Sequence, residues 1–345
     1  MNETLATALI TQARNLAAGH RYADAVKVLD TPEFREWAEV SQHQDLVVVL
    51  SEWAWWMAWG GRLRDGLAIY EELEPRLTPD IPAERQLAIR ARHAYVVGTS
   101  GDRQTSVRAA EMLSAIQAEM QGEVDVPAQL RFHIRRQHAR WLGTAGDAEQ
   151  ALELLRILEA DMEGEIAEDS EEWLLLKSNL AYFVASKEPE TPQATAEALE
   201  RYEALVQARS SALGAMHPHT LDARRNAAWV LGRLDPAVAL MNLRAMVIAA
   251  REVLSGDHRY VVTARLDSAV LASRLDTADV VESEVAQILA SFRRTESAID
   301  VLSEYGRVDT PEAKLDEVIA YLEGRGRVDL ALDLRDLRAA LRSGC

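Results

Sequence analysis

The chain has 345 residues, enough for two ordinary domains or for one elongated array of repeats. Ala, Leu, Glu and Arg dominate, and alternating Val/Ile/Thr runs bounded by turn residues are nearly absent, which predicts an all-helical protein and argues against an α/β enzyme. A formal charge of -17 works against a sequence-independent hold on nucleic acid or anionic lipid, because both need a cationic face.

From the N-terminus onward, the first twenty residues carry no cationic start followed by an apolar stretch. The longest apolar runs, Leu46 to Leu50 and Trp53 to Trp59, are far too short to span a bilayer. A cytoplasmic protein without membrane contact is expected. The single cysteine, Cys345, stands at the end of the chain, away from any partner for an internal disulfide or a multi-cysteine metal site.

Self-similarity organises the rest. His217 to Ala237 aligns without gaps on His258 to Ala278, an offset of 41 residues. The same register places a small residue at Ala13, Ala54, Ala94, Ala139, Ala181, Ala228 and Ala269, with gaps of 41, 40, 45, 42, 47 and 41. Seven residues after the first four of these comes a turn (His20, Gly61, Gly101, Gly146), and twelve after comes a second small residue (Ala25, Gly66, Ser106, Ala151). In the fifth copy the turn carries Lys187 to Pro192 and Ala198 takes the second role. In the sixth and seventh copies a shorter turn moves it to Ala237 and Ala278.

The pattern predicts helical hairpins near 4–30, 44–77, 82–121, 127–163, 170–213, 217–254 and 258–293, forming one array over 1–293. A small side chain in the middle of each helix lets its partner approach closely, while larger Leu, Val and Ile fill ridges and grooves. One hairpin cannot bury its apolar face alone, so such arrays stack. Asp235-Pro236 and Asp276-Thr277 read as helix starts capped by a carboxylate. Residues 294–345 are divergent: Thr295 to Tyr305 reads as a short helix and Pro311 to Ser343 as a last hairpin capping the array.

Small residue, turn glycine and second small residue, as in Gly146 to Ala151 and Gly61 to Gly66, resemble the tetratricopeptide repeat. The period near 41, the segments Leu213 to Thr220 and Leu254 to His258, and Asn179-Leu-Ala181 and Asn226-Ala-Ala228 look like the longer variant of kinesin light chains and many bacterial regulators. The resemblance implies an all-α solenoid, a right-handed superhelix of about seven hairpins plus the C-terminal cap, whose first helices line a concave groove.

That implied groove selects residues. The position after each key alanine is Arg14, Trp55, Tyr95, Arg140, Tyr182, Trp229 and Val270, and three before it stand Ile10, Ser51, Ala91, Arg136, Ser178, Arg225 and Leu266; Trp59 adds to the second copy. Aromatic rings and arginine concentrate binding energy at protein interfaces. Asn179 and Asn226 match the asparagine that contacts backbone groups in the family, whereas Thr11, Glu52, Arg92, Gln137 and Asp267 depart from it. The candidate partner-binding residues are therefore Trp55, Trp59, Tyr95, Arg136, Arg140, Asn179, Tyr182, Arg225, Asn226 and Trp229. A basic ladder, Arg90, Arg135, Lys177, Arg224 and Arg265, stands four before the alanine in five consecutive copies; it can bind carboxylates of a partner or pair with Glu and Asp of adjacent helices, and internal pairing is the favoured reading.

Signals for chemistry are sparse. His217 and His219 are two apart and point in different directions on a helix, and His133 and His138 have no acid between them. No glycine-rich phosphate loop, nucleophile elbow, His-Glu-x-x-His or paired-cysteine motif occurs. The expected protein is a non-catalytic scaffold or adaptor for a protein or peptide segment, with no cofactor, no metal and no nucleic acid. The rivals are a ligand- or peptide-sensing regulator acting on a separate effector, and an enzyme built on a helical toroid.

Overall fold

The structure, a computed structural model, describes every residue except 1, 19–20, 42–44, 61, 100–102, 122–125, 187–190, 255, 257, 295–310 and 344–345. Its described residues form 17 α-helices and no strand. Among them, no helix is long and apolar enough to cross a membrane. The chain divides into two compact units, Met1–His138 and Ala139–Cys345, with the division falling inside one helix.

The first unit contains α1 (Glu3–Ala18), α2 (Tyr22–Leu29), α3 (Pro32–Val40), α4 (Leu46–Trp59), α5 (Leu63–Leu73) with a 3-10 turn at Glu74–Arg76, α6 (Ala83–Thr99), α7 (Arg103–Met120) and the larger part of α8 (Ala128–Thr144). α1/α2, α4/α5 and α6/α7 are hairpins; α2 rests on α4 and α4 on α6. The α4 sequence is apolar nearly all round, which suits a helix covered on several sides. The Tyr70 hydroxyl donates to the Ser51 carbonyl at 3.0 Å and ties α5 to α4. Burial in that contact drives the Tyr70 phenol well above its ordinary range, so it stays a neutral donor.

Helix α3 falls between the first two repeats of the register, where the periodic pattern assigned nothing. Its start was nevertheless written locally: Thr31 Oγ1 accepts from the Phe34 amide at 3.2 Å and Pro32 fills the first helical position. Phe34 and Trp37 are buried, and Phe34 meets Trp53 edge-on with centroids 5.5 Å apart. The helix thus closes the core of the first unit.

The second unit contains the end of α8, then α9 (Ala148–Met162), α10 (Glu171–Ala185), α11 (Pro192–Leu213), α12 (Pro218–Leu231), α13 (Pro236–Ala250), α14 (Arg259–Arg274), α15 (Ala278–Arg294), α16 (Pro311–Gly324) and α17 (Val328–Ser343). Hairpins α10/α11, α12/α13, α14/α15 and α16/α17 stack, with α9 on α10, α11 on α12, α14 on α16 and α15 on α17. One apolar core runs from Leu221 to Leu341, so the last hairpin shares its interior with the repeats before it. The expected short helix at 295–305 lies outside the described residues.

The periodic small residues do what close approach requires. Ala13, Ala54, Ala94, Ala139, Ala181, Ala228 and Ala269 are all buried, as are Ala25, Gly66, Ser106, Ala151 and Ala198. Gly146 makes its turn with φ 115°, a conformation in which an L side chain is strained.

Two local expectations are corrected. Ala237 is exposed and Ala278 only half-buried; the contact position falls to Ala239 and Val281. The reason is that α13 starts at Pro236, so residue 237 lies on the outer side of its first turn. Asp235 caps α13 as expected, accepting from the amides of Ala237 and Val238 at 3.1 and 3.0 Å. Asp276 does not cap α15. It takes φ 57° at the end of α14, and its carboxylate accepts from the Tyr321 hydroxyl at 3.0 Å and from Arg325, both of the last hairpin.

Candidate partner-binding site

In the first unit, α4 and α6 bring three of the selected rings together. Trp55 and Trp59 are one turn apart on α4, with centroids separated by 5.5 Å; Tyr95 of α6 lies 5.2 Å from Trp55 and stacks on Trp59 at 5.9 Å. Tyr22 joins from α2, 6.2 Å from Trp59. Tyr95 is buried, whereas both tryptophans keep part of their surface open. The result is a rigid aromatic wall rather than a cage, because the rings occupy the space between one another. Arg136, on α8, is buried at 1 % exposure and stands 3.3 Å from His133 Nδ1.

In the second unit the selected residues fall into two groups. On α10, Asn179 and Tyr182 are half-exposed and one turn apart; Tyr182 meets Phe183 edge-on at 5.0 Å. The Asn179 amide nitrogen is buried without a hydrogen-bond partner among the described residues. Arg140, at the end of α8, lies over the Trp141 ring at 5.0 Å. On α12, Asn226 and Trp229 repeat the α10 spacing, and both are half-exposed.

Arg225 belongs to a buried ion network. Its Nε donates to Asp267 Oδ2 at 2.7 Å, and Lys314 Nζ donates to Asp267 Oδ1 at 2.6 Å. Asp267 is 0 % exposed and both cations are nearly as buried. Burial by itself would raise the Asp267 pKa, but Arg225 and Lys314 together pull it below the ordinary carboxylate range. Lys314 Nζ also stands 3.7 Å from the Trp229 ring centroid, and Arg274 approaches the same ring at 5.6 Å. The network therefore joins α12, α14 and α16 and holds Trp229 in place from one side. Lys314 escaped the sequence reading because it sits where the repeat is loosest, so no register marked it.

No protein-family model matches the chain, and no curated protein matches it in sequence. Solved structures match in fold. A Rap protein complexed with competence and sporulation factor aligns over 99% of this chain and 99% of its own, with 11% identity and a TM-score of 0.59. The apo form of RapI aligns over 86% of this chain and 98% of its own, with 15% identity and a TM-score of 0.56. Nearly identical TPR-like repeats assigned to a kinesin light chain of Podosopora anserina align over 63% of this chain and 99% of theirs, with 17% identity and a TM-score of 0.48. The fold is that of tetratricopeptide-like repeat proteins.

Several tetratricopeptide-like positions acquire a physical role. Three members of the basic ladder pair internally: Arg90 of α6 with Glu119 of α7 at 2.8 Å, Lys177 of α10 with Glu159 of α9, and Arg265 of α14 with Glu284 of α15 at 2.6 Å. The hydrogen bonds from Arg90 hold the Glu119 carboxyl below its usual range. The loop histidines act as caps. His217 Nδ1 accepts from the His219 amide at 3.2 Å and His258 Nδ1 from the Tyr260 amide at 3.3 Å, one at the start of α12 and the other of α14. Among the described residues no group of three His, Cys, Asp or Glu is placed to hold a metal ion.

Proposed function

We propose that this chain is a non-catalytic tetratricopeptide-like scaffold that holds an extended protein or peptide segment against the first helices of its hairpins. The observation that carries this reading is the repeated pair Asn179/Tyr182 on α10 and Asn226/Trp229 on α12, an amide and a large ring one turn apart on half-exposed faces. Residues three apart share a helix face. An amide there can bond the main chain of a bound segment whatever its sequence, and the ring beside it supplies contact area with few rotors. In the first unit, the open edges of Trp55 and Trp59 offer the same kind of surface, with Tyr95 as their support.

In the second unit, Arg140 adds a half-exposed guanidinium, and Arg225 acts from beneath by fixing the network under Trp229. In the first unit, Arg136 is buried and supports rather than contacts a partner. A second reading, a sensor that takes a signal molecule and acts on a separate effector, is favoured by the Rap structure, which contains competence and sporulation factor and spans 99% of both chains. Both readings use the same surface.

Peptides selected by display on the immobilised full chain test it. Asn179→Ala with Asn226→Ala is expected to weaken the best of them by about 10- to 100-fold, at roughly one neutral hydrogen bond lost per site, while thermal unfolding stays close to that of the native chain. An unchanged Kd in the double variant, or no peptide selected, removes the assignment.

A further inference from the structure

Helix α13 is apolar on the side that faces the core and also on the side that does not. Its inner residues, among them Leu240, Leu243 and Val247, are buried. On the opposite side Val238, Met241, Ala245 and Ile248 follow at intervals of three, four and three, a single stripe. Met241 is 62% exposed and Ile248 69%. Leu234 before the helix and Val253 after it are exposed as well. The corresponding helix α9 is built otherwise: Glu149, Gln150, Glu153, Arg156 and Asp161 surround its one exposed isoleucine, Ile157. A solvated outer face is the ordinary state of such a helix. A continuous apolar one marks an interaction surface.

The charges beside the stripe say what covers it. From Pro236 to Arg251 the chain has no carboxylate, although its net charge is -17, and the exposed Asp235 and Glu252 stand just outside the two ends of that stretch. The two ionised groups there, Arg244 and Arg251, are both exposed. Glu284 stands 4.0 Å from Arg244 but is already bound by Arg265 at 2.6 Å. The face is therefore apolar, with Arg244 and Arg251 along it and a carboxylate only at each end, on an acidic molecule. We propose that it docks an acidic amphipathic helix of a partner protein, whose apolar stripe covers Met241 and Ile248 and whose carboxylates meet Arg244 and Arg251. A second copy of this chain fits less well, since a two-fold axis through the middle of the stripe sets Arg244 against its own image. An anionic membrane must approach the excess negative charge of the whole protein.

The test uses the full chain and two synthetic amphipathic peptides with the same leucine stripe, one flanked by glutamates and the other by lysines, read by fluorescence anisotropy. The glutamate peptide is expected to bind about tenfold tighter than the lysine peptide and to weaken as salt is raised. Met241→Glu with Ile248→Glu should abolish its binding, and Arg244→Glu with Arg251→Glu should reverse the preference. The second pair, both exposed, keeps the test decisive if the first unfolds the chain. Equal binding of the two peptides, or none, overturns the proposal. So does a dimer in sedimentation that Met241→Glu dissociates, or tight binding to phosphatidylglycerol vesicles that the same variant loses. These outcomes leave the Asn179 and Asn226 surface untouched, so the two assignments fail separately.

Discussion

Replacing Asp267 by Ala will destabilise the second unit by about 3–5 kcal/mol, lowering its thermal midpoint on the order of 10 °C. Asp267 is completely buried between Arg225 and Lys314. Its removal takes from Arg225 and Lys314 the buried carboxylate they share, with Asp222 remaining 3.6 Å from Arg225, and that penalty exceeds what the intact network adds over an apolar interior. Because the folded-state pKa of Asp267 lies below the ordinary carboxylate value, its contribution is fully present above about pH 4 and is lost as pH falls through the folded pKa. The gap between native chain and variant should therefore be constant from neutral pH to mild acid and close in strong acid. Calorimetry of both proteins across pH checks this. Equal midpoints at pH 7 would show that Arg225 and Lys314 find water or another partner once Asp267 is gone.

Gly66→Ala gives the second large effect, and its sign opposes intrinsic propensity. In an unencumbered helix interior this change stabilises by about 1 kcal/mol. Here the added carbon would sit 2.5 Å from the Ala54 carbonyl oxygen and 3.2 Å from the Ala58 nitrogen, both main-chain atoms of α4 that cannot rotate aside. The two helices of the hairpin must separate. A net loss of about 1–3 kcal/mol is expected, and Gly66→Val should lose more. Denaturant unfolding of the two variants is the measurement, and a rise in midpoint for the alanine would refute the close packing.

That contact also explains how much was legible beforehand. Ala54 and Gly66, twelve residues apart, recur as small residues in copy after copy because α4 and α5 touch backbone to backbone at those positions. The hairpins, their order and their buried small residues could accordingly be read from spacing alone. Helix α3 could not be read from spacing, since it interrupts the period, although Thr31-Pro32 announced its start. The second small residue of the sixth hairpin was misplaced by two positions because a shorter turn changes which side of the helix faces inward.

The candidate surface divides along the same line. Residue type and repeat position singled out Trp55, Trp59, Asn179, Tyr182, Asn226 and Trp229, and the structure leaves each of them partly open. Those criteria treated Arg136 and Arg225 identically to Arg140, yet the first two are buried and the third is not. Sequence by itself determined the helical hairpin, its period and the rows of residue types along each helix, because these depend on contacts within and between neighbouring segments. Only the tertiary structure decided which guanidinium meets a buried carboxylate, how Lys314 comes beneath Trp229, and that α13 keeps an apolar face outward. Those facts depend on side chains more than forty positions apart meeting in space, and no local pattern records such a meeting.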